Sequence, residues 1–152
     1  MIKKIIKVLL VLIIMLTIFK LSGENDIKST NRSDGVIVRT CEFVLGRKLT
    51  DKEKELYIDK YVVVVRKTAH FTLYFLLGLA FISFLKEFDL NNKKLIIYTI
   101  IFIFIYACSD EIHQLFIPGR SGEILDVIID TTGGFIASFI YTSFRVRRRL
   151  HE

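Results

Sequence analysis

Ionisable side chains are concentrated between Tyr106 and Asp130, at the ends of two strongly apolar runs. They include Asp110, Glu111, His113, Arg120, Asp126 and Asp130. An ionised side chain at the centre of a bilayer costs about 2.5–3.5 kcal/mol on insertion scales. A chain that retains this many at membrane depth is predicted to use them, as a reaction centre, as a binding site or as a polar lock between helices.

The composition is that of a small membrane protein with several spans. Hydrophobic residues make up 52% of the 152 residues, and the mean hydropathy is +0.46. A soluble domain of this length would not contain several apolar runs of near-spanning length. Much of the net charge of +6 lies beside these runs, where Lys and Arg meet anionic lipid head groups. We therefore predict a lipid bilayer as partner, and no nucleic acid.

Four runs are predicted to form transmembrane helices in one all-α, polytopic membrane domain that covers residues 1–152. Their predicted bounds are about 5–22, 67–86, 94–114 and 125–144. The uninterrupted apolar part of the first run has only about 12 residues, which is also the length of a signal-peptide core. Because residues 20–23 offer no A-x-A cleavage site, a retained helix is favoured over a cleaved signal.

The loop between the first two spans, about residues 23–65, is predicted to lie outside the membrane and to contain helices. Residues 36–45 have an apolar helical face, and Gly46 follows the last turn. Thr50 and Glu53 have the spacing of a capping box that opens a second helix. The β-branched run 62–65 suits a strand in water, but continuation into the next span is favoured because an unpaired strand cannot lie in lipid.

The basic residues favour an orientation with both termini in the cytoplasm, although Lys and Arg are almost equally numerous on the two sides. On the N-terminal side they lie in short flanks, which weigh most, and the first helix usually dominates. These flanking residues include Lys3, Lys4, Lys7, Arg145, Arg147, Arg148 and Arg149. We therefore predict a multi-pass protein with both termini on the cytoplasmic side.

In this arrangement three segments carry polar residues to one level of the membrane, toward the outside. On helix two, Arg66, His70 and Tyr74 are spaced four apart and share a face. On helix three, spacings of three and four put further polar residues on one face near its outer end, and the first turns of helix four carry two aspartates. These residues are Asp110, His113 and Gln114 on helix three, and Asp126 and Asp130 on helix four. The turn between these helices is predicted at Pro118-Gly119.

The predicted pocket contains acid–base groups and groups that suit an anionic ligand. The candidate catalytic residues are Asp110, His113, His70 and Asp126. The candidate substrate-binding residues are Arg66, Lys67, Tyr74, Glu111, Gln114, Arg120 and Asp130. Simpler interpretations stay open for several of them: Asp126 would only favour the start of a helix, Arg66 and Lys67 would anchor the interface, and Glu111, about 100° from Asp110, would face water. No cofactor is predicted, and no short H-x-x-x-H pair supports a metal.

These residues resemble the motifs of VanZ-like membrane proteins in order and spacing. The first motif is Arg66-Lys67-x-Ala69-His70-Phe71-x-x-Tyr74-x-x-Leu77-Gly78. The others are Ser109-Asp110-Glu111-x-His113-Gln114-x-Phe116-x-Pro118-Gly119-Arg120 and Asp126-x-x-x-Asp130-x-x-Gly133. Ser22, Ser29 and Ser33 are similar to the serines that follow the family's first helix. The resemblance implies a bacterial cytoplasmic membrane, a site that faces the cell wall, and an association with resistance to glycopeptides, teicoplanin in particular.

Three functions remain open at this point. The first is a pocket that binds or modifies a cell-envelope amphiphile, such as a lipid-linked wall precursor or a lipoglycopeptide. The second is a non-enzymatic membrane scaffold in which the polar residues lock helices together. The third is a metal-dependent hydrolase, for which two His and three Asp residues would supply ligands. The sequence does not decide whether the pocket reacts or only binds, and it predicts no oligomeric state.

Overall fold

The predicted all-α fold is confirmed by a computed structural model, which describes residues 1–149, with side chains as far as residue 144. The helices are α1 (Ile2–Ser22), α2 (Asp26–Leu45), α3 (Asp51–Leu85), α4 (Asn92–Gln114) and α5 (Ile124–Arg149), with a 3-10 turn at Lys86–Phe88. Within these described residues, α1, α3, α4 and α5 are long and apolar enough to cross a membrane. The chain is therefore a polytopic membrane protein.

The helix predicted to open at Thr50 and the second span form one continuous helix, α3, of 35 residues. At a rise of 1.5 Å per residue it is about 52 Å long. Residues 51–65 contain neither Gly nor Pro, so no residue there ends the helix, and the run 62–65 is helical as favoured. The predicted capping box is confirmed: the Glu53 N–H donates to Thr50 Oγ1, and the Thr50 N–H donates to Glu53 Oε2 at 2.9 Å.

The second helix begins at Asp26, well before the predicted start at residue 36. The side chain of Asn25 caps it by accepting a hydrogen bond of 3.0 Å from the Lys28 N–H. It ends at Gly46, which has the left-handed φ of 66° that glycine adopts most readily. This helix packs beside the first half of α3.

The two ends of the bundle are defined by contacts between distant helices. We call the end with Met1 and the 3-10 turn the basal end, and the end with residues 23–25 and 115–123 the apical end. At the basal end, Lys7 Nζ donates to the Ser83 carbonyl at 2.9 Å and to Glu87 at 2.5 Å. Toward the middle, the Tyr106 hydroxyl donates to the Met15 carbonyl at 2.7 Å. These contacts fix how far α1, α3 and α4 are shifted along their axes relative to one another.

Glycines allow α5 to pack closely against α3 and α4. A Cβ on Gly133 would lie 2.7 Å from the Phe71 carbonyl oxygen, and one on Gly134 would lie 2.7 Å from Ile103 Cγ1. A Cβ on Gly78 would lie 2.9 Å from the Gly134 Cα. Small residues at such positions let transmembrane helices approach backbone to backbone. This contact positions the first turns of α5 beside the polar turns of α3.

The helix α5 begins at Ile124 and continues to Arg149, beyond the predicted end at residue 144. The predicted basic flank at residues 145–149 has side chains outside the described part of the structure, as do residues 150–152. The part of the orientation prediction that rests on that flank is therefore tested by no side-chain contact.

Candidate functional site

Arg120, in the loop between α4 and α5, is held by three neutral acceptors at the apical end. Its Nε–H donates to the Glu24 carbonyl at 3.0 Å, Nη1 donates to Gln114 Oε1 at 3.0 Å, and Nη2 donates to the Leu21 carbonyl at 3.4 Å. Arg120 forms no ion pair with any residue that the structure describes. Its guanidinium is therefore fixed in place while its charge lacks a carboxylate partner.

The turn that carries Arg120 depends on Gly119, whose φ of 79° lies in the left-handed region. The predicted Pro118-Gly119 turn is confirmed at this position. A Cβ on Gly119 would lie 3.1 Å from Asp26 Cβ, and the Asp26 N–H donates to the Pro118 carbonyl at 3.5 Å. The start of α2 therefore packs against this loop.

Asp110 lies at the centre of a buried polar network at the end of α4. The Ser22 hydroxyl donates to Asp110 Oδ2 at 2.8 Å, and Gln114 Nε2 approaches the same oxygen at 3.5 Å. All three side chains are buried. The network joins the last residue of α1 to α4, and through Gln114 it reaches Arg120.

Asp130 is fully buried, and neither of its carboxylate oxygens has a hydrogen-bond partner among the described residues. The Asp130 carboxylate faces the imidazole of His70, whose Nδ1 lies 3.6 Å from Asp130 Oδ2; this is just too far for a hydrogen bond and forms an ion pair only when His70 is protonated. The hydroxyl of Tyr74, also fully buried, has no described partner either. Unsatisfied buried polar groups are costly, so this cluster is a candidate for function.

Lys67 and Asp126, predicted as a ligand cation and a catalytic acid, bind each other. Lys67 Nζ donates to Asp126 Oδ1 and also to Glu123 Oε2 at 3.2 Å. The lysine charge is thus matched by two carboxylates at the start of α5. The pairing fastens α3 to the start of α5.

Glu111 does not face water, as the simpler interpretation of its position expected. Its side chain is buried, its Oε2 accepts from the Glu123 N–H at 2.8 Å, and its Oε1 accepts from Gln114 Nε2 at 3.0 Å. Glu123 directly precedes α5, where N–H groups have no partner within the helix. Glu111 therefore stabilises the start of α5.

His113 does not join the other polar residues of α4, contrary to its predicted place on the same face. Its ring stacks on Phe19 with centroids 4.3 Å apart, and its Nδ1 is buried without a partner among the described residues. It lines neither of the two apical cavities. The structure therefore gives His113 a packing role against α1.

Two small cavities meet at the apical end. The first, of about 160 Å³, has a polar lining that includes Asp26, Lys67, Gln114, Ser121, Glu123 and Asp126. The second, of about 140 Å³, is lined by hydroxyl groups and by apolar side chains of α1 and α3. These residues include Ser22, Ser29, Ser33, Ile18, Leu21 and Leu73. Arg66, His70 and Arg120 line both cavities. Each cavity is smaller than the roughly 300–1,000 Å³ of a site that encloses a drug-sized ligand.

Three arginines, Arg32, Arg66 and Arg120, carry positive charge at the apical end. Burial, and then the positive charge of Arg66, lower the pKa of Arg120 from its usual value. The neighbouring Arg32 donates a hydrogen bond of 2.6 Å to Glu24 and thereby lowers the pKa of that carboxyl. Arg32 is therefore paired with Glu24, and Arg66 Nη1 is paired with Asp26 Oδ1 at 3.2 Å. Among these three arginines, the positive charge without a described carboxylate partner is that of Arg120.

The described residues contain no group of three or more His, Cys, Asp or Glu side chains that could hold a metal ion. His70 and His113 line different parts of the bundle, so the ligand set imagined from the sequence does not converge. The structure lends no support to the metal-dependent alternative in this part of the chain.

Several polar residues of the site were absent from the predicted set, although the serines had been noticed. Ser22 binds Asp110, Asp26 binds Arg66, Glu24 accepts from Arg32, and Glu123 binds Lys67. Ser22 ends α1, Glu24 and Asp26 follow within four residues, and Glu123 precedes α5. Of these four, only Ser22 was indicated beforehand, by its family-like position.

A bundle of apolar helices with a buried ionisable cluster at one end defines an integral membrane protein built around a polar site. Residues 7–145 match the model of the VanZ/LLP1 family, and the chain therefore belongs to that family. The expected resemblance is confirmed over nearly the whole chain. No curated protein and no solved structure is similar enough to match it.

Proposed function

We propose that this protein binds an anionic amphiphile of the cell envelope at its apical end, with Arg66 and Arg120 receiving the anionic group. A lipid-linked wall precursor and a lipoglycopeptide both have this chemistry. Binding of either would contribute to glycopeptide resistance, including resistance to teicoplanin.

The guanidinium of Arg120 is the observation that carries the proposal. Three neutral acceptors orient it, and no described carboxylate neutralises it. A partly buried charge without a counterion is costly, and a fixed guanidinium fork matches the oxygens of a carboxylate or a phosphate. An anionic ligand would supply the missing counterion and so remove that cost.

In this proposal the other polar residues have different tasks. Gln114 orients the Arg120 guanidinium, while Lys67, Asp126 and Glu111 hold α3, α4 and α5 together around the site. His70 borders both cavities, with Asp130 at 3.6 Å. If the protein also modifies its ligand, this carboxylate–imidazole pair is the group placed to accept a proton from water or from a hydroxyl.

The first prediction concerns binding. Arg120→Gln should weaken the binding of an anionic amphiphile about tenfold or more, equivalent to about 1.4 kcal/mol, because the charged guanidinium of Arg120 is lost. The full chain, in micelles of the uncharged and phosphate-free detergent dodecyl maltoside, would be titrated with three amphiphiles that have the same chains. These are dihexanoyl phosphatidylglycerol and dihexanoylglycerol hemisuccinate, which are both monoanions, and uncharged dihexanoylglycerol.

Arg39→Gln is the matched control, because Arg39 is exposed on α2 and should leave binding unchanged. Thermal midpoints of both variants establish that they are folded. Binding to Arg66→Gln, measured in the same way, tests the second arginine of the site. Equal affinity of the wild-type protein for charged and uncharged amphiphiles would contradict the proposal.

We further propose that the apical end faces the cell wall, with both termini in the cytoplasm. The lysines at the basal start of α1 support this orientation. Cys41, partly exposed on α2, should then react with a membrane-impermeant maleimide in intact cells. Cys108, within the apolar part of α4, should not. Labelling of Cys41 only after lysis would overturn the orientation.

A scaffold is the second candidate function, because many ionisable residues at the apical end bind each other. The contacts Ser22–Asp110, Lys67–Asp126 and Glu111–Glu123 join three different pairs of segments. Mass spectrometry of the lipids that co-purify with the wild-type protein and with Arg120→Gln separates the two candidates. Enrichment of an anionic lipid with the purified wild-type protein, but not with Arg120→Gln, favours the binding protein, whereas an identical lipid profile favours the scaffold.

A further inference from the structure

The shared wall between the two apical cavities suggests how a ligand would lie across them. Arg66 comes from α3 and Arg120 from the loop after α4, and both line both cavities. The anionic group of a ligand at these arginines therefore has open space on two sides. A ligand that uses both spaces must continue beyond its anionic group in two directions.

The cavities differ in chemistry. The first is lined by carboxylates, by Gln114 and by Ser121, which suit hydroxyl and amine groups. The second has the apolar side chains Ile18, Leu21 and Leu73 along one side, which suit a hydrocarbon chain. A polar head group fits the first cavity and the start of an apolar chain fits the second. Because both cavities are small, the rest of the chain would remain in the bilayer.

Between the two cavities, the N–H groups of Arg66 and Arg120 favour a ligand group that has acceptor oxygens. A guanidinium has five N–H groups, and only one hydrogen bond is made at each of Nη1 and Nη2 of Arg120 within the described residues. Each of these nitrogens therefore keeps one N–H. Arg66 makes one side-chain bond, at 3.2 Å to Asp26. Donors from two separate elements can thus meet at one anion.

A phosphodiester satisfies these conditions, and a terminal carboxylate does not. A phosphodiester is a charged group in the middle of a molecule, with one substituent on each side. A carboxylate ends the molecule, so it can fill only one of the two cavities. Resting on the function proposed above, we infer that the ligand is a phosphodiester-linked lipid whose phosphoryl group lies between Arg66 and Arg120, with its polar head in the first cavity and its chain leaving through the second.

The same protein in dodecyl maltoside micelles, which contain no phosphodiester, tests this inference with charge-matched probes. Dihexanoyl phosphatidylglycerol is expected to bind at least tenfold more tightly than dihexanoylglycerol hemisuccinate, although both carry one negative charge. Arg120→Gln should bring the two affinities to within about threefold, whereas Arg39→Gln should keep the difference. Inorganic phosphate should displace phosphatidylglycerol only at a concentration at least a hundredfold higher.

The outcomes separate the inference from the function on which it rests. Equal, Arg120-dependent binding of phosphatidylglycerol and hemisuccinate would overturn the phosphodiester and leave an anion-binding protein. Displacement by inorganic phosphate at matching concentration would show that the site takes free phosphate and would overturn the lipid. Binding that does not change in Arg120→Gln would overturn both.

Discussion

Gly133→Ala is expected to lower the free energy of unfolding by about 1–3 kcal/mol, in the range of other overpacking substitutions. The new Cβ would lie 2.7 Å from the Phe71 carbonyl oxygen and 3.1 Å from the Phe75 amide nitrogen. Both are backbone atoms of α3, so no side chain can rotate away. The helices α3 and α5 must separate, and the separation also moves Asp130 away from His70.

The matched control is Gly35→Ala on α2, where a Cβ meets no other atom within 4 Å. Ala favours a helix over Gly by about 1 kcal/mol, so this control should be as stable as the wild-type protein or slightly more stable. Thermal midpoints in the same detergent measure both. If the two variants shift alike, α5 does not pack on α3 as closely as described.

Asp130→Asn is expected to make the protein more stable and less able to bind its ligand. Asp130 is fully buried with two unpartnered oxygens, and leaving a buried polar group unsatisfied costs about 1–3 kcal/mol, more when it is charged. Asn has nearly the same shape and cannot ionise. Removing the carboxylate also removes the partner that holds the His70 ring beside both cavities, so the site loses its fixed shape and phosphatidylglycerol binding should weaken about tenfold.

Asp59→Asn, at an exposed position of α3, is the control for the change of charge and should alter neither quantity. Thermal midpoint and ligand titration are read on the same samples. A lower midpoint for Asp130→Asn would mean that the carboxyl group is well satisfied in the folded protein. That result would favour a polar lock between helices over a binding site.

The sequence predicts the four spans and their common polar level because both depend on local features. The length of an apolar run decides whether it can cross a membrane, and a spacing of four places Arg66 and His70 on one face whatever surrounds them. The family-like motifs add the order of these segments. The bounds of α1 and α4 agree with the prediction to within a few residues for the same reason.

The rotation of each helix about its axis could not be predicted from spacing. Neighbouring residues differ by about 100° in direction, so a modest rotation decides which of them faces the cluster. Packing against α1 turns His113 to Phe19, and the start of α5 draws Glu111 into the interior. Contacts between different segments, such as that of Lys67 with Glu123, depend on the same packing. The sequence therefore did not predict them.

The early start of α2 was missed for a different reason. Residues 26–35 are mostly polar, so they show no apolar period to indicate a helix. The cap at Asn25 and the contact of Asp26 with Arg66 stabilise this part instead. A single polar side chain is a weaker signal in a sequence than a run of apolar residues.

The unbroken length of α3 limits how the apical site can change shape. Residues 51–77 contain neither Gly nor Pro, where sharp kinks usually occur, so Arg66 and His70 move as parts of one stiff rod. Arg120 and Ser22 lie at the segments that connect α4 to α5 and α1 to α2. Under the proposed function, we therefore expect a ligand to enter by a rearrangement of these segments and not by bending of α3, which offers no kink site beside Arg66 and His70.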